Sequence, residues 1–148
     1  MIFENKSDLN REEYAINKFI AHMSQYWHRF KGCTCVKLGR FDLDYIIQFN
    51  NGKKITVEIK GVKQHKIESN HIPVVSVAKV EKMQKSVNCD GFNASFIIFA
   101  YIDGLKYQEL RNLTGRFSWG GRQVRKGSAN DKEIILIFDS TEFKKVHF

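Results

Sequence analysis

The segment from Arg40 to Gly61 constrains the fold most strongly, because apolar and polar residues alternate along it. Alternation of this kind is typical of half-buried strands, and it predicts strands over Phe41–Phe49 and Lys53–Lys60. The intervening Asn50-Asn51-Gly52 suits a three-residue hairpin loop whose glycine takes the left-handed position of a bulge. Such a loop pairs Phe49 with Lys53, and counting outward places Asp44 opposite Glu58. The sequence therefore predicts two carboxylates side by side on neighbouring strands.

This carboxylate pair needs a compensating cation. Opposed like charges destabilise a sheet, and two adjacent carboxylates cannot both remain ionised without a positive partner. Oxygen ligands supplemented by water suit Mg²⁺ or Mn²⁺ rather than zinc. Lys60 lies two residues beyond Glu58 and projects to the same side of the strand, where its ammonium can reach a phosphate oxygen. Asp42 is a second candidate acid, but it falls opposite Lys60 and can simply pair with that lysine.

The elements around this hairpin alternate between helix and strand. Apolar residues spaced by three and four predict a helix over Asn10–Phe30, with Asn10 and Glu13 as a capping pair. The elements predicted on either side of the hairpin are a short strand Cys35–Leu38, a helix Val77–Asn88 with Ser76 as N-cap, and a strand Ala94–Ile102 buried on both faces.

An acid on one strand followed by Glu-x-Lys on the next, here Asp44 and then Glu58-Ile59-Lys60, resembles the motif of the PD-(D/E)XK nuclease superfamily. The order of helix, three strands, helix and strand resembles its core over residues 10–103, although no proline precedes the acid. The resemblance implies an α/β (α+β) fold with a restriction-endonuclease-like core, in which a mixed central sheet is flanked by helices.

The resemblance also implies the roles of the site residues. Asp44, Glu58 and the backbone carbonyl of Ile59 would hold one or two Mg²⁺ (or Mn²⁺) ions, and Lys60 would orient or activate the attacking water. Members of the superfamily often add an acid from the first helix, and the candidates here are Glu12 and Glu13. Glu12 is the slightly better candidate if Glu13 caps the helix.

The remaining residues, 104–148, are predicted to extend the same single domain with additional β-structure. Asp103-Gly104 is a hairpin signal, and strands are predicted over Leu105–Leu113 and Glu133–Phe138. The polar, glycine-rich stretch Thr114–Asp131 is interpreted as a long hairpin or a mobile loop. A short terminal helix is predicted to begin at Asp139 or Ser140.

The net charge of +8 over 148 residues favours a polyanionic partner, because lysine and arginine gain by releasing counterions from phosphates. One basic group lies along the second predicted helix, and another is interleaved with Phe117 and Trp119 in a segment suited to tracking a phosphate backbone and stacking on bases. The candidate nucleic-acid-binding residues are Lys79, Lys82, Lys85, Arg116, Trp119, Arg122, Arg125 and Lys126.

These observations predict a metal-dependent endonuclease acting on DNA. Because no separate sequence-reading module is recognisable, we expect selectivity for a junction, branch or flap, and a homodimer of phage or mobile-element origin. The sequence contains no signal peptide or membrane-spanning run, which predicts a soluble cytoplasmic protein. Three alternatives stay open: a non-cleaving nucleic-acid-binding module, an interaction domain, and an ordinary hairpin whose charged face is solvated.

Overall fold

The computed structural model describes residues 6–39, 43–62, 64–121 and 132–148. Its two α-helices are α1 (Lys6–Tyr26) and α2 (Val77–Asn88). Its strands are β1 (Thr34–Lys37), β2 (Tyr45–Gln48), β3 (Lys54–Gly61), β4 (Val74–Ser76), β5 (Ala94–Ala100), β6 (Gly104–Glu109), β7 (Gly115–Gly121), β8 (Lys132–Phe138) and β9 (Lys144–His147). Six of these strands form a central sheet in the order β1-β2-β3-β5-β6-β9, and three form a second sheet in the order β4-β8-β7.

The hairpin of β2 and β3 has the predicted register. Ile47 pairs with Ile55 and Tyr45 with Val57. The backbone N–H of Phe49 donates to the carbonyl of Lys53 at 2.8 Å, and Gly52 has a φ of 84°. The bulged loop is therefore confirmed, because a side chain at Gly52 would be strained in this left-handed conformation.

The central sheet is mixed. β3 runs parallel to β5, whereas β1, β2, β6 and β9 pair antiparallel with their neighbours. Parallel neighbours require a crossover, and the chain between β3 and β5 contains α2. The predicted fold class, a mixed central sheet flanked by helices with further strands after the core, is confirmed.

Alternating side chains of the central sheet build two hydrophobic clusters, one on each face. Phe19 of α1 packs with Val57 and Ile98 on the first face. Met83 of α2 packs with Ile97 and Phe99 on the second face, which the second sheet also covers through Val75 and Phe138. Burial of each such side chain stabilises the fold by roughly 1.5–3 kcal/mol. The second face is the one that carries Glu58.

The predicted boundaries are correct for α2 and wrong for α1. Ser76 caps α2 as expected, since its hydroxyl accepts from the N–H of Lys79 at 3.3 Å. In contrast, α1 begins at Lys6, so Asn10 lies inside the helix and the predicted capping pair with Glu13 is wrong. The helix ends at Tyr26, and a 3-10 turn over His28–Phe30 replaces its predicted last turn.

The C-terminal prediction needs three corrections. The predicted strand Leu105–Leu113 ends at Glu109 and continues as a 3-10 turn, Leu110–Asn112. The interpretation of Thr114–Asp131 as part of a long hairpin is confirmed for its described residues, because they contain the strand β7, which pairs antiparallel with β8. The predicted terminal helix is only the 3-10 turn Ser140–Glu142, and the chain then adds the unpredicted edge strand β9. Among the described helices, none is long and apolar enough to cross a membrane.

Candidate functional site

The site lies where Asp44, immediately before β2, meets Glu58 of β3. Because Tyr45 pairs with Val57 in an antiparallel ladder, the next opposed positions outward are Asp44 and Glu58. Both side chains are buried, with residue exposures of 9% and 8%. The two acids are therefore neighbours, as the sequence predicted, and the sheet also removes them from bulk water.

Asp44 is held by a backbone donor and a lysine. The N–H of Ile59 donates to its Oδ2 at 2.7 Å, and the Nζ of Lys37 donates to its Oδ1 at 3.3 Å. Lys37 also donates to Oε2 of Glu12 at 2.9 Å. Glu12 thus reaches the edge of the site through a lysine, whereas Glu13 is exposed.

Glu58 is held less completely. Lys79 of α2 places its Nζ 3.4 Å from Oε1, but Oε2 is buried without a hydrogen-bond partner among the described residues. Burial and, to a smaller extent, the nearby carboxylate of Asp44 raise the pKa of Glu58 to about 8, although Lys79 acts in the opposite direction. A charged carboxylate at this position is therefore unfavourable unless an additional cation approaches it.

Lys60 is exposed on the same side of β3 as Glu58. It pairs in register with Phe99 of β5, and the ring of His71 lies 6.0 Å from that of Phe99. Burial lowers the pKa of His71, and the positive charges of His65, Lys106 and Lys60 lower it further. Lys60 therefore belongs to a group of positive charges around His71.

The donor set of this site fits a hard divalent cation. Carboxylate oxygens are the ligands that Mg²⁺ and Mn²⁺ prefer, and the buried Oε2 of Glu58 needs a positive partner. Within the described ranges, no three acidic, histidine or cysteine side chains come close enough to hold an ion together. Asp44 and Glu58 would thus be the side-chain ligands, leaving other coordination positions to carbonyl groups and water.

The predicted nucleic-acid-binding residues fall into three groups. Lys79 lies at the carboxylate pair, whereas Lys82 and Lys85 are exposed along α2. Arg116 and Trp119 are exposed on β7. The other basic candidates, Arg122, Arg125 and Lys126, lie outside the described residues, as does Asp42, the second candidate acid.

Sequence reasoning missed the contact of Lys37 with Asp44 and the contact of Lys79 with Glu58. Lys37 reaches the site because β1 pairs with β2, which no local pattern specifies. For Lys79 a signal was present, since it precedes the inward-facing Val80 in the first turn of a correctly predicted helix.

A family model described as "Phage putative PDDEXK endonuclease" matches residues 1–146. The chain belongs to this family. The predicted membership of the PD-(D/E)XK superfamily is thereby confirmed, and membership in an endonuclease family supports nuclease activity.

Among solved structures, the chain is similar to Hjc, a Holliday junction resolvase from the archaeal hyperthermophile Archaeoglobus fulgidus. The similarity covers 87% of each chain, with a TM-score of 0.48 and 11% sequence identity. No curated protein matches this member of the PDDEXK endonuclease family.

Proposed function

We propose that the protein is a divalent-metal-dependent endonuclease that hydrolyses phosphodiester bonds in DNA. The observation that carries the proposal is the buried pair of Asp44 and Glu58, in which one oxygen of Glu58 has no hydrogen-bond partner among the described residues. Such a pair destabilises the free protein, which is expected of a site arranged to bind a cation. The exposed Lys60 beside it supplies the positive charge that a phosphodiester needs.

Asp44, Glu58 and the backbone carbonyl of Ile59 would hold Mg²⁺ or Mn²⁺, with Glu12 contributing through its contact with Lys37. When bound, the ion supplies Lewis acidity towards the phosphate and makes an attacking water more acidic. The hydrogen bond from the N–H of Ile59 fixes Asp44 before any ligand arrives. This preorganisation means that ligand binding need not first orient that carboxylate.

Lys60 acts on the substrate. Its ammonium binds a non-bridging phosphate oxygen, orients the attacking water, and stabilises the negative charge that grows on the phosphate in the transition state. Because Lys60 and Glu58 project from the same side of one strand, a phosphate held by Lys60 lies next to the carboxylate pair. By resemblance to the PD-(D/E)XK superfamily, in-line attack of the water would break the bond from phosphorus to the 3′ oxygen and leave a 5′-phosphate and a 3′-hydroxyl.

The substrate is proposed to be DNA with a junction, branch or flap, bound by a homodimer whose two sites cut two strands. Exposed basic residues on α2 and β7 support contact with phosphates over a wide surface. The proposed contacts are Lys79, Lys82, Lys85, Arg116, Trp119, Arg122, Arg125 and Lys126. Sedimentation of the free protein and of its DNA complex measures whether the dimer forms.

One observation favours a second candidate, a nucleic-acid-binding module that does not cleave. Lys37 and Lys79 place their ammonium groups 3.3 Å from Asp44 and 3.4 Å from Glu58. These lysines partly neutralise the acids without any metal. A site that relied on them permanently would bind nucleic acid without hydrolysing it.

Cleavage assays separate the two candidates. The protein is incubated with a four-way junction, a flap, single-stranded DNA and linear duplex, each with Mg²⁺, Mn²⁺ or EDTA, and with RNA versions of the same substrates. We expect cutting that requires the metal and favours branched DNA. Salt-sensitive binding without cutting under every metal condition would instead identify the binding module.

A matched pair of lysine variants tests the role of Lys60. Lys54 lies on the same strand and the same side as Lys60, six positions away, where it contacts the ring of Phe92 at 4.5 Å. We expect Lys60→Met to lower the cleavage rate by roughly 100-fold or more, and Lys54→Met to change it little. Equal effects of the two changes would remove Lys60 from the proposed mechanism.

A further inference from the structure

The hairpin of β7 and β8 carries an exposed aromatic surface. Phe117 and Trp119 are each 72% exposed, and Ile134, which pairs with Trp119, is 44% exposed. Phe117 and Trp119 are two positions apart on β7, so both side chains project from the same face. We call Phe117, Trp119 and Ile134 the aromatic surface of the hairpin.

This aromatic surface continues a face that is buried elsewhere. At the other end of the same hairpin, Gly115 pairs with Phe138, which is 4% exposed and belongs to the second hydrophobic cluster. Leu136, opposite Phe117, also packs against that cluster. The apolar face of the hairpin is thus buried at the end near the protein core and exposed at the other end. Exposed apolar patches of this kind mark binding sites.

The area of the patch suits a small occupant. An aromatic side chain buries about 150–250 Å² when it is covered, so the aromatic surface offers on the order of 300–400 Å². A stable interface between two copies of this chain needs roughly 800 Å² from each partner. The aromatic surface alone is therefore too small for an interface with a second copy of the chain. A planar ligand, in contrast, would be well covered by it.

The spacing of the two positions along β7 suits one nucleic-acid base between their side chains. Residues two apart on a strand are separated by roughly 6.6–6.8 Å. Stacked bases are spaced by about 3.4 Å, so one base between the two rings would lie at stacking distance from both. A base inside an intact duplex is already stacked on its neighbours on both sides. Only an unpaired or flipped base can enter.

Two exposed arginines lie close to the aromatic surface in the chain. Arg116 lies between Gly115 and Phe117 on β7 and projects from the face opposite to that of Phe117 and Trp119, and Arg111, in the 3-10 turn that precedes β7, pairs with Glu109 at 2.8 Å. Their positive charge favours a nucleic acid along this hairpin, whereas the base itself is contacted by the aromatic surface.

We propose that Phe117 and Trp119 clamp one unpaired base, so that the hairpin selects nucleic acid in which base pairing is interrupted. The inference rests on the proposed function, since it assigns to that nuclease the class of substrate that it prefers. It also provides a physical basis for structure selectivity. Fully paired DNA would be bound through its phosphates alone, whereas an unpaired base at a bulge or branch would also stack on Phe117 and Trp119.

Binding measurements in EDTA test the clamp without cleavage. Dissociation constants are measured at one salt concentration for a perfect duplex and for the same duplex with a single unpaired nucleotide. We expect the bulged duplex to bind more tightly. Phe117→Ala and Trp119→Ala should each weaken its binding by roughly 5- to 100-fold and change binding of the perfect duplex less than twofold.

Two controls separate stacking from a general loss of structure. Tyr26 is 68% exposed on α1, and Tyr26→Ala should leave both affinities unchanged. Trp119→Phe keeps an aromatic ring and should retain most of the preference. The chain has two tryptophans, so Trp27→Phe leaves Trp119 as the sole reporter, and its fluorescence should be quenched by the bulged duplex more than by the perfect duplex.

The outcomes distinguish the clamp from the nuclease. Suppose that the protein cuts DNA in a metal-dependent way, but that the Phe117 and Trp119 variants lose equal affinity for the bulged and the perfect duplex. That result leaves the proposed nuclease function intact and overturns the clamp. Loss of a dimer in these variants, without a change in base preference, also overturns it and assigns the surface to a second copy. If the unmodified protein binds no nucleic acid, the proposed function and the clamp both fail.

Discussion

Replacement of Glu58 by glutamine is expected to stabilise the metal-free protein while it abolishes cleavage. Burial raises the pKa of this carboxyl from 4.5 to about 8. The folded protein therefore binds the proton of Glu58 more tightly than the unfolded chain does. The free energy of unfolding of the wild type therefore falls as the pH rises from about 4.5 to about 8. Glutamine does not titrate, so this pH dependence is absent in Glu58→Gln.

The size of the effect follows from the same pKa. The pKa of Glu58 differs by roughly 3.5 units between the folded and the unfolded chain, which corresponds to roughly 5 kcal/mol. This is the increase in the free energy of unfolding that is expected when the buried charge is removed altogether. Glutamine loses the ion pair with Lys79 at 3.4 Å and leaves a buried polar group incompletely satisfied, which costs about 1–3 kcal/mol. We therefore expect Glu58→Gln to raise the free energy of unfolding at pH 8 by roughly 2–4 kcal/mol, or the Tm by roughly 4–16 °C.

Urea denaturation in EDTA at several pH values between 5 and 8.5 measures this gain. The difference between variant and wild type should be small at pH 5 and should increase steadily towards pH 8. Glu81→Gln is the matched control, because Glu81 is exposed on α2, and its effect should stay within about 0.5 kcal/mol. A gain that is missing at pH 8, or that is the same at pH 5 and pH 8, would refute the electrostatic reasoning.

Four further results are expected. Mg²⁺ should raise the Tm of the wild type reversibly, with EDTA restoring the original value, and should leave that of Glu58→Gln unchanged. Lys79→Met should tighten Mg²⁺ or Mn²⁺ binding to the free protein by roughly fivefold or more in calorimetric titration, whereas Lys85→Met, an exposed change on the same helix, should not. Ser86→Ala should lower the free energy of unfolding by about 1 kcal/mol, because the buried hydroxyl donates to the carbonyl of Met83 at 2.6 Å and lies 3.0 Å from the Thr56 hydroxyl. Gly104→Ala should lower it by about 1–3 kcal/mol in the same denaturation assay, since the added methyl would lie 2.5 Å from the carbonyl oxygen of Val146.

The sequence specified the hairpin of β2 and β3 well because each signal there acts locally. Alternation sets which face is buried, and the bulged loop around Gly52 sets the register, so one error in either would have separated Asp44 from Glu58. The same is true of α2, where the cap at Ser76 and the periodic Val80 and Met83 agree. Local consistency made these elements predictable.

The parts that sequence missed depend on distant partners. β4 has three residues and β9 has four, too few for a periodic pattern, and each exists because β8 or β6 offers it an edge. The start of α1 was misplaced because Asn10 and Glu13 match a capping pair but lie inside the helix. The contact of Lys37 with Asp44 likewise depends on which strand lies beside β2.

The lysines missed in this way offset the charge of the two carboxylates before any metal is bound to the proposed site. An ammonium beside a buried carboxylate favours its ionised form, so Lys79 opposes the protonation of Glu58 that burial promotes. The same positive charge repels a divalent cation about twice as strongly as it repels a proton, since the electrostatic energy scales with the charge. Loss of Lys79 raises the pKa of Glu58, so a proton binds this carboxylate more tightly. The affinity for a divalent cation increases more, because the cation carries twice the charge. Lys79→Met is therefore expected to tighten metal binding overall. In the proposed metal site, Lys79 would thus stabilise the metal-free form at the expense of metal affinity.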